Sequence, residues 1–314
     1  MPLHHLAYKT TGAFSSLLTD YLAQRPELGQ YYHRFPALEE FEAQLEEKKQ
    51  AYSPEARQRL VVALGRQYAG FTDVHAAVTT NLQLLEKTTT FTVVTGHQLN
   101  LLTGPLYFIY KIITAIKLCR QLKERYPQHD FVPVYWMATE DHDFAEINHF
   151  NLFGKHYAWE AEAGGPVGRL GLDGLAEAIL DQLPADVPAI FQQAYRESAT
   201  LAEATRRLTH ALFGEYGLVS IDGDDATLKT AFVPVLEREI QEQASNRAVQ
   251  QTNTQLEAAG YKPQVYSRPL NLFFLTDDGR RERLEFDAEQ DCVQVRIRNT
   301  SRCHSQAELL ELAR

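Results

Sequence analysis

The fold is decided by residues 91–114, FTVVTGHQLNLLTGPLYFIYKIIT, and by residues 136–149, WMATEDHDFAEINH. FTVVT at 91–95 is short and rich in β-branched residues, which predicts a strand. Residues 106–126 have helical periodicity, and FVPVYWMA at 131–138 is a nearly continuous apolar run, as in a strand buried on both faces of a parallel sheet. Strand, helix and strand together predict a βαβ unit within an α/β fold. The apolar side of the helix is predicted to contain Leu106, Ile109, Tyr110, Ile113, Ile116 and Leu122.

The flanking sequence extends this pattern. Residues 1–89 are predicted to be helical, with Ser53 and Pro54 starting one helix, and a helix at 199–213 precedes a strand at 217–222. One or two helices are predicted for 226–259, with a kink near Pro234. Three strands are predicted after that: two in 264–286 around an Asp-Asp-Gly turn, and a third at 293–297. Residues 305–314 begin a helix with a capping box and no terminating signal, from which we expect the chain to continue.

Composition narrows the function classes. The 314 residues carry a formal charge of -10, and this disfavours broad contact with nucleic acid, which needs a basic face. No apolar run has the length of a bilayer-spanning helix, and the amino terminus lacks the layout of a secretory signal, so we expect a cytoplasmic protein without membrane contact. Cys119, Cys292 and Cys303 form no CxxC pair, which predicts reduced thiols rather than a disulfide framework or a zinc site.

Two polar loops follow the first two predicted strands. Because the carboxyl ends of parallel strands share one edge of the sheet, TGHQLNLLTG and TEDHDFAEIN are expected to line one crevice. Gly96 is predicted to turn the chain off the strand. Gly104 is predicted to let the N–H groups at a helix start approach an anion, assisted by Lys111. Pro105 is predicted to be the first helical residue, after a capping residue. The alternative to anion binding is that Gly96 and Thr103-Gly104 only turn and cap the chain.

The second loop carries Glu140, Asp141, His142 and Asp143 in a row. Carboxylates can bind a substrate amine or act as bases, and histidine can transfer a proton near neutral pH. The alternative is a solvated loop in which Asp143 caps the next helix. The spacing of His142, Glu146 and His149 could also suit a metal, but without a firm signature we predict no metal. Asp222–Asp225 is predicted to be an ordinary turn and helix cap.

The sequence resembles the bacillithiol biosynthesis cysteine-adding enzyme family along most of its length. The resemblance is carried by TGHQLNLLTGPLYFIYKIITAIKL at 95–118, PVYWMATEDHDFAEINH at 133–149 and AAGYKPQVYSRPLNLFFL at 258–275. The family's first loop more often reads TGQQ, so His97 stands where glutamine is usual.

This resemblance implies a fold and an activity. It implies a Rossmann-like parallel sheet core at 91–225, a helical amino-terminal region at 1–90 packed on it, inserted connecting segments, a long helical segment at 226–260 and a β-rich return to the core at 261–314. It further implies a longer protein that forms a homodimer through a coiled coil. Its reaction would join cysteine to the amine of glucosaminyl-malate, the last step of bacillithiol biosynthesis. ATP is left open as a cofactor, and the shortened chain is expected to be inactive if missing residues complete the core.

The predicted site residues follow from the two loops and the resemblance. Asp141, His142 and Asp143 are expected to be catalytic. Substrate binding is assigned to Thr95, Gly96, His97, Gln98, Thr103, Gly104, Tyr107, Lys111, Glu140 and Asn148. Two other functions remain open: a metal-dependent hydrolase that uses the EDHD loop, and a nucleotide-binding protein without catalysis.

Overall fold

The computed structural model describes residues 5–71, 73–162, 164–276, 278–287, 289–290, 292–297 and 300–313. The chain divides into two compact units. The larger unit consists of Glu47–Pro234 and Phe273–Glu282. The smaller unit combines the described residues up to Glu46 with Val235–Leu272 and Arg283–Ala313. The domain boundaries predicted from sequence stay a prediction. Among the described residues, no helix is both long and apolar enough to cross a bilayer.

The described residues form helices and strands in a mixed order, with five α-helices before the first strand. In chain order the helices are α1 Tyr8–Thr11, α2 Ser16–Leu22, α3 Phe41–Ala51, α4 Pro54–Tyr68, α5 Ala76–Leu84, α6 Tyr107–Arg125, α7 Phe144–Ile147, α8 Leu175–Ala178, α9 Ala189–Arg196, α10 Leu201–Phe213, α11 Ala226–Lys229, α12 Val233–Glu242, α13 Ala244–Ala258 and α14 Gln306–Ala313. The strands are β1 Thr90–His97, β2 Asp130–Met137, β3 His149–Leu152, β4 Lys155–Ala158, β5 Val219–Asp222, β6 Phe273–Leu275, β7 Arg281–Asp287, β8 Cys292–Ile297 and β9 Thr300–His304.

A parallel sheet in the order β1-β2-β5 is the centre of the larger unit. The helix α6 lies between β1 and β2 in sequence, so the predicted βαβ unit is confirmed. On one face, Phe108 and Ile112 of α6 pack in a core with Tyr135. On the other face, α4 and α5 bury Leu64 and Val78 in a second core. These two layers of helices make an α/β sandwich.

The start of α4 and the start of α14 follow local sequence rules. The Ser53 hydroxyl accepts a hydrogen bond from Ala56 N at 3.2 Å, and Pro54 is the first helical residue. Ser305 and Glu308 exchange the two hydrogen bonds of a capping box, at 2.8 and 3.3 Å. Both predicted helix starts are confirmed.

The prediction for the packing side of α6 is wrong for three residues. Leu106, Tyr110 and Ile113 are exposed. The side that faces the sheet contains Phe108, Ile112, Ala115, Ile116, Cys119 and Leu122. Apolar residues occupy both sides of this helix, so periodicity alone could not choose between them.

The long helical segment is divided into pieces. After α11 and a short 3₁₀ turn, α12 begins at Val233, which places Pro234 in the first turn, where proline is tolerated. Gln243 then adopts a left-handed conformation (φ 50°) and separates α12 from α13. Glu239 stabilises the break because its carboxylate accepts from Ser245 N at 2.9 Å and from the Ser245 hydroxyl at 2.5 Å.

The β-rich region differs from its prediction in two ways. Residues 264–272 are irregular, and β9 is an additional strand beside β8. Asp277 of the predicted turn lies outside the described residues, while Gly279 has the positive φ (84°) that a tight turn requires. Cys292 and Cys303 form a disulfide across β8 and β9, with Cα atoms 5.8 Å apart, so the prediction of reduced thiols is wrong for both. Pairing depends on the strand register, which cysteine spacing does not reveal.

Candidate functional site

The three parallel strands end in one row. His97 of β1 is in register with Met137 of β2, which is in register with Asp222 of β5. The polar loops therefore leave the sheet side by side. Gln98 Nε2 donates to Glu146 Oε2 at 2.8 Å, and Asn100 Nδ2 donates to the Glu146 carbonyl at 3.2 Å. The sequence expectation that the two loops are neighbours is confirmed.

The first loop contains three consecutive residues with positive φ: Leu102 at 51°, Thr103 at 78° and Gly104 at 59°. A side chain at Gly104 would bring its Cβ to 2.5 Å from Asn100 Cβ, so glycine is required here. The Gly104 N–H donates to the Leu101 carbonyl at 2.9 Å. Because of this left-handed turn, α6 begins only at Tyr107. The prediction that Thr103 caps the helix and that Pro105 is its first residue is wrong.

Gly96 lies inside β1, and the predicted sharp turn at this glycine is wrong because the strand continues to His97. A Cβ at Gly96 would make only ordinary contacts, the nearest at 3.7 Å from Trp136 Cβ. The Gly96 carbonyl accepts from Lys111 Nζ at 3.0 Å. Lys111 is exposed and keeps two further N–H donors.

His97 is 7% exposed and packs between Tyr107 and Phe108, with ring centroids 5.1 and 5.4 Å away. Its Nε2 is buried without a hydrogen-bond partner among the described residues. Burial, and then the charge of Lys111, lowers the pKa of His97 from 6.5 to about 4. The imidazole is therefore neutral at pH 7.

The predicted catalytic residues of the second loop all have partners within the chain. Asp141 Oδ1 accepts from His142 N at 2.7 Å, and Asp143 Oδ1 accepts from Glu146 N at 3.2 Å, which caps α7. His142 places Nδ1 3.0 Å from the Glu140 carbonyl and Nε2 2.9 Å from the Gly279 carbonyl. These contacts support the alternative of a capped, internally bonded loop. The catalytic roles of Asp141, His142 and Asp143 stay predictions.

Glu140 differs from its neighbours. Its Oε1 accepts from Trp136 Nε1 at 3.3 Å, whereas its Oε2 is buried without a partner among the described residues. Gly223 lies against this carboxylate, since a Cβ there would be 2.3 Å from Oε2 and 2.8 Å from the Trp136 ring. A buried carboxylate oxygen without a donor is unfavourable unless a ligand, water or cation satisfies it.

The charged cluster of Asp224, Arg169 and Lys229 beside β5 was not predicted from the sequence. Asp224 accepts from Arg169 Nε and from Lys229 Nζ, each at 2.5 Å. Burial opposes ionisation of Asp224, but these two cations outweigh it and lower the pKa of the carboxyl. Asp224 N also donates to Thr139 Oγ1 at 3.0 Å and to Asp222 Oδ1 at 2.9 Å. The cluster thus ties the loop after β5 to the loop after β2.

The expected turn and cap at 222–225 is also present, because the Asp225 carboxylate accepts from Thr227 N and Leu228 N at the start of α11. Sequence spacing gave no signal for Arg169 or Lys229, since their contacts depend on loops that periodicity does not place.

The other predicted residues fall in different surroundings. Tyr107 is exposed beside Lys111, whose Nζ lies 5.7 Å from its ring centroid. Thr95 is half-buried within β1, in register with Tyr135. Asn148 belongs to the structure of the β3–β4 hairpin, where its amide donates to the Trp159 carbonyl at 3.0 Å.

The metal alternative receives no support from the geometry. Within the described ranges, no three His, Cys, Asp or Glu side chains are grouped so that they could bind one ion. His142 contacts Gly279, Glu146 contacts Gln98, and His149 lies beside His156 with ring centroids 5.5 Å apart. The three side chains of the candidate motif therefore have separate partners.

Comparison with known proteins identifies related sequences. The family described as "Bacillithiol biosynthesis BshC, N-terminal Rossmann-like domain" matches residues 1–314. A protein of Flavobacterium johnsoniae named "Putative cysteine ligase BshC" is 47% identical over 299 residues, covering 92% of this chain and 56% of that protein. The protein of the same name from Flavobacterium psychrophilum is 42% identical, covering 99% and 59%. One from Salinibacter ruber is 36% identical, covering 73% and 44%. The chain thus spans little more than half the length of the first two relatives.

Proposed function

The chain belongs to the BshC family of bacillithiol biosynthesis proteins, and from this premise we propose that it carries the Rossmann-like part of a cysteine ligase. The proposed reaction is the last step of bacillithiol biosynthesis, in which cysteine is joined to the amine of glucosaminyl-malate. The observation that carries the proposal within this chain is the polar crevice at the carboxyl edge of the sheet, which contains Glu140 Oε2 without a partner in the described part of the chain.

The chemistry of amide formation sets what the site must do. The carboxylate of cysteine has to be activated, for which ATP would supply the energy, and a neutral amine then attacks the activated carbon. The protein must therefore bind an amine on one side and anionic groups on the other. Cytoplasmic location, homodimer formation and the use of ATP are part of this proposal.

Glu140 is assigned to the amine. An ammonium group has three N–H donors, and a buried carboxylate oxygen that receives no donor from the described residues is their natural acceptor. Lys111 is assigned to an anionic group, because it is exposed at the end of β1 and has donors to spare.

Calorimetric titration with glucosaminyl-malate, cysteine and ATP tests the assignment. Glu140→Gln keeps the shape of the side chain and removes its charge, so we expect binding of glucosaminyl-malate to weaken by about 10- to 100-fold. Glu86→Gln is the matched control, because this exposed residue follows α5 and precedes β1, at the opposite end of the strand. Its binding should equal that of the wild type.

Three results would contradict parts of the proposal. Equal affinity of Glu140→Gln and wild type would remove Glu140 from the amine site. Loss of affinity in both variants would point to a general charge effect. If the folded chain binds none of the three compounds, the same titration of the full-length Flavobacterium johnsoniae protein decides whether the substrate assignment itself is wrong.

A further inference from the structure

The outer edge of β1 is a row of backbone groups that no described strand pairs with. On the inner edge, Thr89 O accepts from Asp130 N at 3.2 Å and His97 O accepts from Ala138 N at 3.3 Å. Backbone groups alternate in direction along a strand, so the even-numbered residues of β1 point away from β2. Gly96 follows this rule, since its carbonyl meets Lys111. The N–H and C=O groups of Thr92 and Val94 therefore point outward.

The face of β1 away from α6 is uncovered beside this edge. Val94 is 55% exposed, whereas Val134, its register partner on β2, is 6% exposed. The difference arises because α4 and α5 pack against β2 and β5. On the opposite face, α6 packs on β1, and the outer side of this helix region exposes an apolar set, which consists of Leu106, Tyr107, Tyr110 and Ile113.

The sequence of β1 lacks the features that usually prevent an edge strand from pairing with another strand. Solvent-facing edge strands usually carry charges, proline or a bulge that discourages pairing. TFTVVTGH of β1 contains no proline and no Lys, Arg, Asp or Glu. Among the described residues, cations reach the two ends of this edge: Arg57 Nη2 donates to the Thr90 carbonyl at 3.1 Å, and Lys111 Nζ donates to the Gly96 carbonyl at 3.0 Å.

The strand order indicates what is missing at this edge. Read from the far side, β5-β2-β1 is the order of one half of a doubly wound sheet, in which a fourth strand lies against the first. The relatives from the two Flavobacterium species contain further chain, because this sequence aligns with 56% and 59% of them.

We propose that the β1 edge and the exposed side of α6 form a docking surface for a parallel strand and its helix, supplied by the part of the longer protein that lies outside these 314 residues. The ligand crevice of a doubly wound sheet lies where the strand order reverses, which would be between β1 and the incoming strand. The carboxyl end of β1, with Lys111, is then one wall of a crevice whose other wall comes from that segment. The inference concerns the sheet and does not depend on the reaction proposed above.

Hydrogen exchange of the β1 amides tests the proposal in two proteins. In this chain, Val93 and Thr95 donate to β2 and should exchange at least 100-fold more slowly than Thr92 and Val94, at any protein concentration. In the full-length Flavobacterium johnsoniae protein, all amides of the segment aligned with Thr90–His97 should be protected. Outward amides that remain fast in the full-length protein would overturn the proposal. If the amides of Thr92 and Val94 in this chain become protected as the protein concentration and the oligomer mass rise, the proposal is also overturned. The edge would then bind a second copy of this chain.

A proline pair checks the assignment of the edge itself. Val94→Pro removes an outward N–H and should shift the melting temperature of this chain little, because that N–H bonds to no described strand. Val93→Pro removes an N–H that pairs with β2 and should abolish cooperative melting. Similar losses in both variants would mean that the outward edge is already paired, and the docking surface would not exist.

Discussion

At the scale of single residues, Glu140 Oε2 and His97 Nε2 share a property: each is buried at the carboxyl edge without a hydrogen-bond partner among the described residues. They differ in chemistry. A carboxylate oxygen only accepts hydrogen bonds, whereas burial keeps the His97 ring neutral by lowering its pKa. Glu140 therefore suits a cationic ligand, while His97 resembles a polar group held in an apolar environment.

The pH dependence of stability should reveal His97. The unfolded chain protonates this residue from about pH 6.5, but the folded protein does so only at about pH 4. The unfolded state binds more protons within this window, so the free energy of unfolding falls as the pH is lowered from 6.5 to 4, by up to about 3 kcal/mol. Below pH 4 this contribution no longer changes. His97→Gln should lose less stability across the window, as measured by urea unfolding at several pH values.

An exposed histidine provides the control for that experiment. His149→Gln on β3 should retain the pH slope of the wild type, because His149 lies at the surface of the hairpin. If His97→Gln and His149→Gln have the same slope as the wild type, the imidazole of His97 is not desolvated in the folded protein.

At the scale of elements, the break between α12 and α13 is specified by side chains rather than by a helix breaker. Glu239 is 7% exposed and binds both the N–H and the hydroxyl of Ser245, which satisfies a donor at the start of α13. Burial opposes ionisation of Glu239, but the hydrogen bonds from Ser245 prevail and lower the pKa of its carboxyl. Gln243 supplies the left-handed residue at the junction.

Glycine substitution distinguishes this junction from a continuous helix. Gln243 has a positive φ, which costs a non-glycine residue about 1 kcal/mol, so Gln243→Gly should leave the free energy of unfolding equal or raise it by up to about 1 kcal/mol. Gln251→Gly, in the interior of α13, should lower it by about 1 kcal/mol. Chemical denaturation of both variants makes the comparison. Equal losses at the two positions would show that the helix runs through Gln243.

At the scale of the whole molecule, the sheet needs helices from before β1. Residues of α4 and α5 bury one face of β2 and β5, and the larger unit accordingly begins at Glu47 rather than at residue 91. A fragment of residues 47–234 should melt cooperatively, as followed by circular dichroism. A fragment of residues 91–225, the predicted core, should not, because Val132 and Val219 would lose their apolar cover. Equally cooperative melting of the two fragments would favour the boundaries predicted from sequence.

Sequence reasoning succeeded where the signal is local. The apolar run of β2, the capping serine before α4 and the polar loops at the strand ends are each visible in a short window. It could not choose the buried side of α6, since both sides carry apolar residues. It also missed contacts between segments far apart in the chain, such as Arg169 with Asp224 and the disulfide between Cys292 and Cys303. Such pairs depend on tertiary placement, which no periodicity encodes.

The contact between Trp136 and Glu140 has an optical consequence. The protein contains two tryptophans, and Trp159 is 1% exposed with its indole N–H on the Asp173 carbonyl. Trp136 alone lies at the crevice, half-buried, with its indole N–H on the carboxylate assigned to the amine. A cation that engages this carboxylate changes the electric field at the indole, so the crevice carries a built-in fluorophore. Occupancy can then be followed by emission without any attached label.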